Sequence, residues 1–132
     1  TQLSFASRAE WSDFSYTSVN ENGFLIYQDV HYTTAFAPLD FSLRYCLFDV
    51  DGYDARIYTY ENDVLYTYSF PSFQNKGSRF YLLAQYHVMK HIDVWARYAI
   101  TWYSDLKTIS SGMDLINAPH KSELKTELRY SF

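Results

Sequence analysis

The sequence predicts an all-β fold: an antiparallel up-and-down transmembrane β-barrel of about eight strands. It is expected to occupy residues 1–132 as a single domain. Apolar and polar residues alternate with a period of two along most of the chain, as they do in strands with unlike faces. Aromatic residues are abundant, at 14 Tyr, 10 Phe and 3 Trp, although the chain carries no apolar run long enough for a membrane-spanning helix.

Six stretches of the sequence show this alternation and are predicted to be strands. The clearest is "LDFSLRYCL". One face of this strand would carry Leu39, Phe41, Leu43, Tyr45 and Leu47, and the other would carry Asp40, Ser42, Arg44 and Cys46. In chain order the others are "LSFASRAEW", "GFLIYQDVHY", "RFYLLAQYHV", "IDVWARYAITW" and "SELKTELRYSF".

The stretch "DGYDARIYTYENDVLYTYSFPSF" is predicted to form two further strands, over residues 53–61 and 64–70. They are divided at "END", because Asn and Asp favour turns. This division places short turns on one rim of the sheet and longer loops, including "TSVNENG", on the other, which is typical of outer-membrane barrels. A helical turn is expected only within residues 109–118.

Alternation alone does not say which face points outward. In a soluble barrel or sandwich the apolar face points inward, whereas in a transmembrane barrel it meets lipid and the polar face lines the lumen. Here the polar face carries both signs of charge, which suits a filled interior in which charges pair. Aromatic residues lie near strand ends on the apolar face, as in the ring belts at membrane interfaces. We therefore predict that the apolar face meets lipid.

The polar residues predicted to face the lumen come from four of these stretches. They are Arg8, Asp40, Arg44, Asp93, Arg97, Glu123, Glu127 and Arg129, and the same face carries Glu10, Asp29 and Lys125. A soluble β-barrel that binds a small hydrophobic ligand in its interior remains the alternative, because small lipid-binding barrels have a similar length and strand count.

The end of the chain, "SELKTELRYSF", alternates to its final residue, an aromatic one. It resembles the C-terminal insertion signal of bacterial outer-membrane barrels. The matching positions, which we expect to face lipid, are Leu124, Leu128, Tyr130 and Phe132.

Several phrases, among them "YENDVLY", "KGSR", "ISSGMD" and "KSELK", carry a wider resemblance that covers roughly residues 40–132. This region resembles the C-terminal β-barrel region of helix-hairpin-helix-domain outer-membrane proteins of the Bacteroidetes. The resemblance implies that the chain is the closing part of a longer polypeptide, so that its strands belong to a larger barrel. The helix-hairpin-helix motif itself is absent from these residues, so the resemblance implies no DNA binding by them.

The sequence shows no pattern typical of a catalytic, cofactor or metal site. No G-x-S-x-G motif or Gly-rich phosphate loop occurs, and "DVDGYD" lacks the remaining ligands of a calcium loop. The histidines are not spaced to converge on a metal, and Cys46 is expected to be a buried spectator. The loop acids are predicted to be solvated turn residues: Asp49, Asp51, Asp54, Glu61 and Asp63.

The expected function is therefore that of a non-enzymatic outer-membrane barrel protein without a cofactor, acting as an envelope anchor, gate or pore component. The resemblance implies DNA uptake or transport as its context. Its expected partners are the lipid bilayer and proteins of an envelope complex. The net charge of −4 excludes a generally basic nucleic-acid surface. An interior plugged by side chains is favoured for a complete barrel, while pore lining stays open for a larger one.

Overall fold

The computed structural model of this chain describes residues 1–109 and 112–132. Most of its residues lie in strands, which confirms the predicted all-β antiparallel class, and no α-helix occurs among the described residues. The strands are β1 (Gln2–Tyr16), β2 (Val19–Thr33), β3 (Leu39–Val50), β4 (Ile57–Tyr58), β5 (Ser72–Phe73), β6 (Asn75–Met89), β7 (Ile92–Tyr103) and β8 (His120–Tyr130).

The six long strands form one antiparallel sheet in the order β1-β2-β3-β6-β7-β8, and β4 and β5 pair separately. Each long strand coincides with one of the six alternating stretches of the sequence. The sheet is open, because β1 and β8 lie at opposite edges and do not pair with each other. No helix in the described part of the chain has the length and apolar character needed to cross a bilayer.

The prediction of two long strands over residues 53–61 and 64–70 is wrong. Residues 51–74 instead leave the sheet after β3 and return at β6, so that β3 and β6 pair directly. Within this stretch only β4 and β5 are strands, and Tyr66 has a left-handed φ of 59°, which an extended strand excludes. The backbone N–H of Glu61 donates to the carbonyl of Ser69 at 2.9 Å, which folds the stretch back on itself.

The alternation in this stretch has a different physical origin. Ala55, Ile57, Thr59 and Glu61 are buried and point down onto one face of the large sheet, while the residues between them are more exposed. We call residues 51–74 the covering segment. The side of the sheet beneath it, which carries Arg44, Tyr81 and Arg97, is the covered face, and the opposite side is the bare face.

The two rims of the sheet differ in the length of their connections, although not in every loop as predicted. The two longest connections, residues 51–74 and 104–119, leave the sheet at the same rim, whereas residues 34–38 and the 90–91 turn lie at the other. The expected long loop "TSVNENG" is wrong, because β1 and β2 are joined by a tight turn in which Thr17 has a φ of 54°. Of the expected helical turn, Gly112–Asp114 form a short 3-10 helix, and residues 110–111 lie outside the described residues.

The core lies between the covered face and the covering segment. Its larger cluster joins Leu25, Phe48 and Val50 of the sheet to Ile57 and Phe73 of the covering segment. A smaller cluster packs Val64 of the segment against Leu83 and Trp95. Both clusters fasten the segment to the sheet, and ionic groups fill the space between them.

Candidate functional site

Glu61 lies at the centre of the layer between the sheet and the covering segment. Its side chain is completely buried and accepts hydrogen bonds from Arg79 Nε at 2.7 Å and Arg79 Nη2 at 2.8 Å. Arg97, which is also completely buried, donates through Nη2 to Glu61 Oε2, the oxygen that Arg79 Nη2 also contacts. One acid of the covering segment is therefore held by two arginines from adjacent strands, β6 and β7.

Arg97 continues the network toward β8. Its Nε donates to the backbone carbonyl of Asn62 at 3.0 Å, and its Nη1 donates to Glu123 at 3.0 Å. Asp63, next to Asn62 in the covering segment, accepts a hydrogen bond from Lys125 Nζ at 2.8 Å. The segment is thus tied to three consecutive strands of the sheet through side chains of opposite charge.

Arg44, on β3, makes a second set of contacts between the sheet and the covering segment. Its Nε and Nη2 donate to the two carboxylate oxygens of Asp29 at 2.5 and 2.7 Å, a bidentate arrangement. Its Nη1 reaches up to the carbonyl of Tyr60 at 2.7 Å and to Thr59 Oγ1 at 3.1 Å. The guanidinium also lies 3.7 Å from the centroid of the Tyr27 ring, a cation–π distance. This arginine therefore binds both layers at once.

Positive and negative charges between the sheet and the covering segment are equal in number. We call these four cationic side chains and four carboxylates the ionic layer: Arg44, Arg79, Arg97 and Lys125 with Asp29, Glu61, Asp63 and Glu123. Throughout the described residues, every buried side-chain nitrogen and oxygen has a hydrogen-bond partner. A buried ionic layer is tolerated only when its groups are paired in this way.

A third ionic group lies near the rim with the short connections. Arg129 donates to Asp93 Oδ2 from Nε at 3.0 Å and from Nη2 at 2.5 Å, and His87 Nδ1 contacts the other carboxylate oxygen. The guanidinium of Arg129 also lies 5.4 Å from the ring centroid of Trp95. This group joins β6, β7 and β8.

The strand register places all eight residues predicted to face a lumen on the covered face. Within this set two ion pairs form, Arg97 with Glu123 and Arg129 with Asp93. Asp40 does not pair with an arginine, and its carboxylate accepts a hydrogen bond from Thr33 Oγ1 at 2.6 Å.

Four of the eight lie on the two edge strands, and two of these four have no partner in the ionic groups described above. Arg8, on edge strand β1, contacts only its neighbour Glu10, at 2.9 Å, among the ion pairs of the described residues. Glu127, on edge strand β8, has no ion pair among those residues.

The expectation that Glu61 and Asp63 are solvated turn acids is wrong, because both carboxylates are fully buried and paired with cations. Arg79 was not among the predicted site residues, since it lies at the start of its alternating stretch. The signal that could have identified Glu61 is its position in the alternation. It occupies the next alternate position after Ala55, Ile57 and Thr59. Asp49, Asp51 and Asp54 are exposed, as a solvated loop requires.

The bare face carries the apolar residues of the strands. Over residues 39–47 of β3 and 92–102 of β7, every side chain on this face is uncharged. Charged residues on it, such as Asp49 and Lys76, which pair at 3.0 Å, lie at the rim with the long connections. Tyr45 is 46% exposed whereas its neighbour Arg44 is 6% exposed, so the apolar side is the open one.

The four positions of the expected insertion signal are exposed. Leu124, Leu128 and Tyr130 lie on the bare face of β8, and Leu124 is 69% exposed. Phe132 follows the end of the strand and is exposed too.

A cavity of about 590 Å³ lies beside the ionic layer, where residues 68–75 approach the ends of β7 and β8. Arg79, Tyr103, Lys121 and Glu123 contribute to its wall. Two of these, Arg79 and Glu123, are already engaged in the ionic layer.

No three His, Cys, Asp or Glu side chains of residues 1–109 and 112–132 are grouped as a metal site requires. Cys46 is 1% exposed and packs in the larger core cluster, where a thiol has no access to a reactant. In the loop that superficially resembles a calcium site, Asp51 instead accepts a hydrogen bond from the backbone N–H of Asn22 at 3.1 Å.

Comparison of the chain with protein-family models, with curated proteins and with solved structures found no match.

Proposed function

We propose that this chain forms wall strands of a transmembrane β-barrel in the bacterial outer membrane. In this proposal the bare face meets lipid, and the covering segment lies in the lumen. One observation carries it: the sheet buries its charged side under the covering segment and leaves its apolar side open. A protein surrounded by water on all sides gains free energy from the opposite arrangement.

The extent of the bare face supports this orientation. Soluble monomers rarely expose a continuous apolar patch of more than a few hundred Å². Here exposed apolar side chains extend across every strand of the sheet, from Phe5 on β1 to Leu128 on β8. The bare face is uncharged over nine residues of β3 and eleven of β7, which matches the roughly 9–11 residues of a tilted membrane-spanning strand.

The ligand-binding alternative requires the apolar face to line an enclosed cavity. The apolar residues of β3 and β7 lie instead on the side of the sheet that nothing covers, and the covered side holds the ionic layer. The arrangement therefore favours the membrane proposal over a soluble barrel with a hydrophobic ligand.

The ionic layer favours an anchor or a gate over an open pore. A pore-lining arginine presents its charge to a water-filled channel, whereas Arg97 is completely buried and engaged on three sides. The sequence contains no pattern typical of a catalytic or cofactor site, and we propose a non-enzymatic role without a cofactor. The resemblance to the barrels of the Bacteroidetes supports transport or DNA uptake within an envelope complex, with no direct nucleic-acid contact.

Folding in lipid tests the proposal. The purified chain is refolded with detergent micelles or lipid vesicles, and equal samples are run on a gel with and without boiling. We expect the unboiled sample to migrate as a compact species, the boiled sample to migrate as an unfolded chain, and the protein to precipitate without detergent or lipid. A chain that stays monodisperse in plain buffer and migrates alike in both lanes would contradict the proposal.

A further inference from the structure

The two short strands of the covering segment, β4 and β5, form a hairpin above the sheet, and the two edges of this hairpin differ. The β4 side contacts β2 of the sheet. Just beyond β4, the carbonyl of Tyr60 accepts a hydrogen bond from Arg44 Nη1 at 2.7 Å. β5 pairs with β4 on one side and with no other strand of the described residues. We call the second side of β5, over residues 69–73, its outer edge.

The cavity of about 590 Å³ extends along this outer edge. Its wall contains every residue from Tyr68 to Asn75, at odd and even positions alike. Because side chains of a strand alternate between its two faces, a wall of consecutive residues indicates that the cavity meets the strand at its backbone. Thr101 and Tyr103 of β7 and Lys121 of β8 contribute the sheet side of the wall.

The backbone of the outer edge has groups available for pairing. The carbonyls of Ser69 and Pro71 accept hydrogen bonds from the opposite strand of the hairpin, at 2.9 and 3.3 Å. In an antiparallel pair, residues that make such bonds alternate with residues that do not, whose N–H and C=O groups point away from the partner strand. Phe70 and Ser72 occupy these alternate positions, and their backbone groups therefore point toward the cavity. Phe70 makes no backbone hydrogen bond within the described part of the chain.

The position and length of the cavity fit one further strand. Neighbouring strands lie about 4.8 Å apart, and packed sheets lie about 10 Å apart. A strand beside β5 in the upper layer would therefore lie over β7 and β8, where the cavity is. The outer edge of five residues spans about 16 Å. It ends where Asn75, with a left-handed φ of 66°, returns the chain to the sheet.

The cavity wall carries one cation that is not neutralised by the ionic layer. Arg79 and Glu123 are both engaged in that layer. Lys121 is exposed and has no ion pair among residues 1–109 and 112–132. It lies directly opposite Thr101, on the same face of the sheet. A strand in the cavity would therefore gain from a carboxylate on the side that faces the sheet.

We propose that the outer edge of β5 binds an extended, acidic segment of a partner protein as a third strand of the hairpin. The backbone groups of Phe70 and Ser72 supply the hydrogen bonds, and Lys121 pairs with a carboxylate of the segment. In strand addition of this kind, main-chain bonds provide affinity and alternate side chains provide specificity. As the docking site of an envelope partner, it rests on the proposed function of an anchor or gate. Its contacts lie on the covered side, away from the bare face.

Binding of short peptides tests the proposal. The chain, refolded in detergent micelles, is titrated into labelled pentapeptides of the pattern Thr-X-Glu-X-Thr, in which X is Val, Ile, Leu, Phe or Tyr. We expect saturable binding of at least one peptide by fluorescence anisotropy. That peptide is then N-methylated either at its second and fourth residues or at its first, third and fifth. One set should abolish binding and the other should preserve it, because only alternate N–H groups point toward β5.

Variants of the chain locate the site. Ser72→Pro removes a backbone N–H that points into the cavity and leaves the bonds to the opposite strand in place, so it should weaken binding by about tenfold, as one lost hydrogen bond does. Ser72→Ala, which keeps the N–H, should bind as the unmutated chain does. Lys121→Gln should weaken binding of the peptide with Glu and leave a matched peptide with Gln unaffected. Each variant is checked for the heat-sensitive compact species on the gel.

The outcomes separate this proposal from the transmembrane one. If none of the peptides shows saturable binding, or if both N-methylated sets bind alike, strand addition is overturned, and the transmembrane proposal stands while the compact species persists. Peptide binding with the expected alternation by a chain that is folded in plain buffer would support the β5 site and overturn the transmembrane proposal.

Discussion

Arg79 donates two hydrogen bonds, of 2.7 and 2.8 Å, to the carboxylate of Glu61, although one residue belongs to the sheet and the other to the segment that covers it. Arg97 donates to the same carboxylate from the neighbouring strand. Planar guanidinium groups suit this role because their donors match a carboxylate in pairs. The position of the covering segment on the sheet is thus fixed by direction-specific contacts in addition to its apolar clusters.

Replacing Glu61 by Gln should loosen the covering segment strongly. The change leaves two buried guanidinium groups facing a neutral amide, and breaking a buried charge network from one side costs about 3–5 kcal/mol. The free energy of unfolding, measured by urea titration in detergent, should fall by that order.

The control for this variant is Asp54→Asn, which removes an equal charge from an exposed position of the same segment. It should change stability by less than about 0.5 kcal/mol. Equal effects of the two substitutions would show that the Glu61 carboxylate does not hold the segment.

Arg44→Lys should destabilise the fold although it conserves the charge. A lysine ammonium cannot reproduce the bidentate contact with Asp29 together with the bonds to Thr59 and Tyr60. We expect a loss of about 2 kcal/mol, in the range for hydrogen bonds to charged groups. Hydrogen exchange should also become faster at residues 59–61 of the covering segment. Unchanged exchange there would contradict the anchoring role of Arg44.

Gly77→Ala tests the close approach of β6 and β7. A Cβ at this position would lie 2.0 Å from the carbonyl oxygen of Trp102 and 3.1 Å from Phe48 Cζ. Because the nearer atom belongs to the backbone, the strands must separate, and overpacking of this kind costs about 1–3 kcal/mol. Ser78→Ala, one residue further on and on the other face, should be close to neutral. Calorimetric melting of both variants provides the comparison.

The depth dependence of an introduced charge tests the bare face. On the bare face of β3, Leu43 lies at the middle of the uncharged positions 39–47. Leu47 lies at their end, and Asp49 is the next residue on that face. If this face crosses a bilayer, Leu43→Arg should cost about 2–4 kcal/mol and Leu47→Arg about 0–1 kcal/mol. Folding titrations into vesicles measure the difference. Equal small costs at both positions would indicate that water surrounds this face.

The six strands of the sheet could be predicted because most of their charged residues occupy alternate positions, on a single face. In β3, the alternation of Leu43 and Tyr45 with Arg44 reports both the extended backbone and the two unlike environments. The partners within the ionic layer could not be predicted, because they depend on register. Arg44 pairs with Asp29 because the two lie directly opposite each other across β2 and β3.

The sequence predicts two barrel strands where the covering segment lies, because a period of two shows only that successive residues meet unlike surroundings. Residues 55–61 alternate between the covered face below and open space above. A barrel strand with one side in lipid and one in a lumen produces the same pattern. Only the tertiary structure distinguishes the two cases. Glu61 belongs to the buried series, and its carboxylate pairs with Arg79 and Arg97 of the sheet.

Spin labels placed one at a time along β3 test the orientation of the sheet most directly. In vesicles, labels at Leu43, Tyr45 and Leu47 should collide frequently with oxygen, which is concentrated in lipid, and rarely with a water-soluble nickel complex. Labels at Arg44 and Cys46 should be shielded from both. Bare-face labels that collide mainly with the nickel complex, in protein that is folded in the presence of those vesicles, would contradict the account.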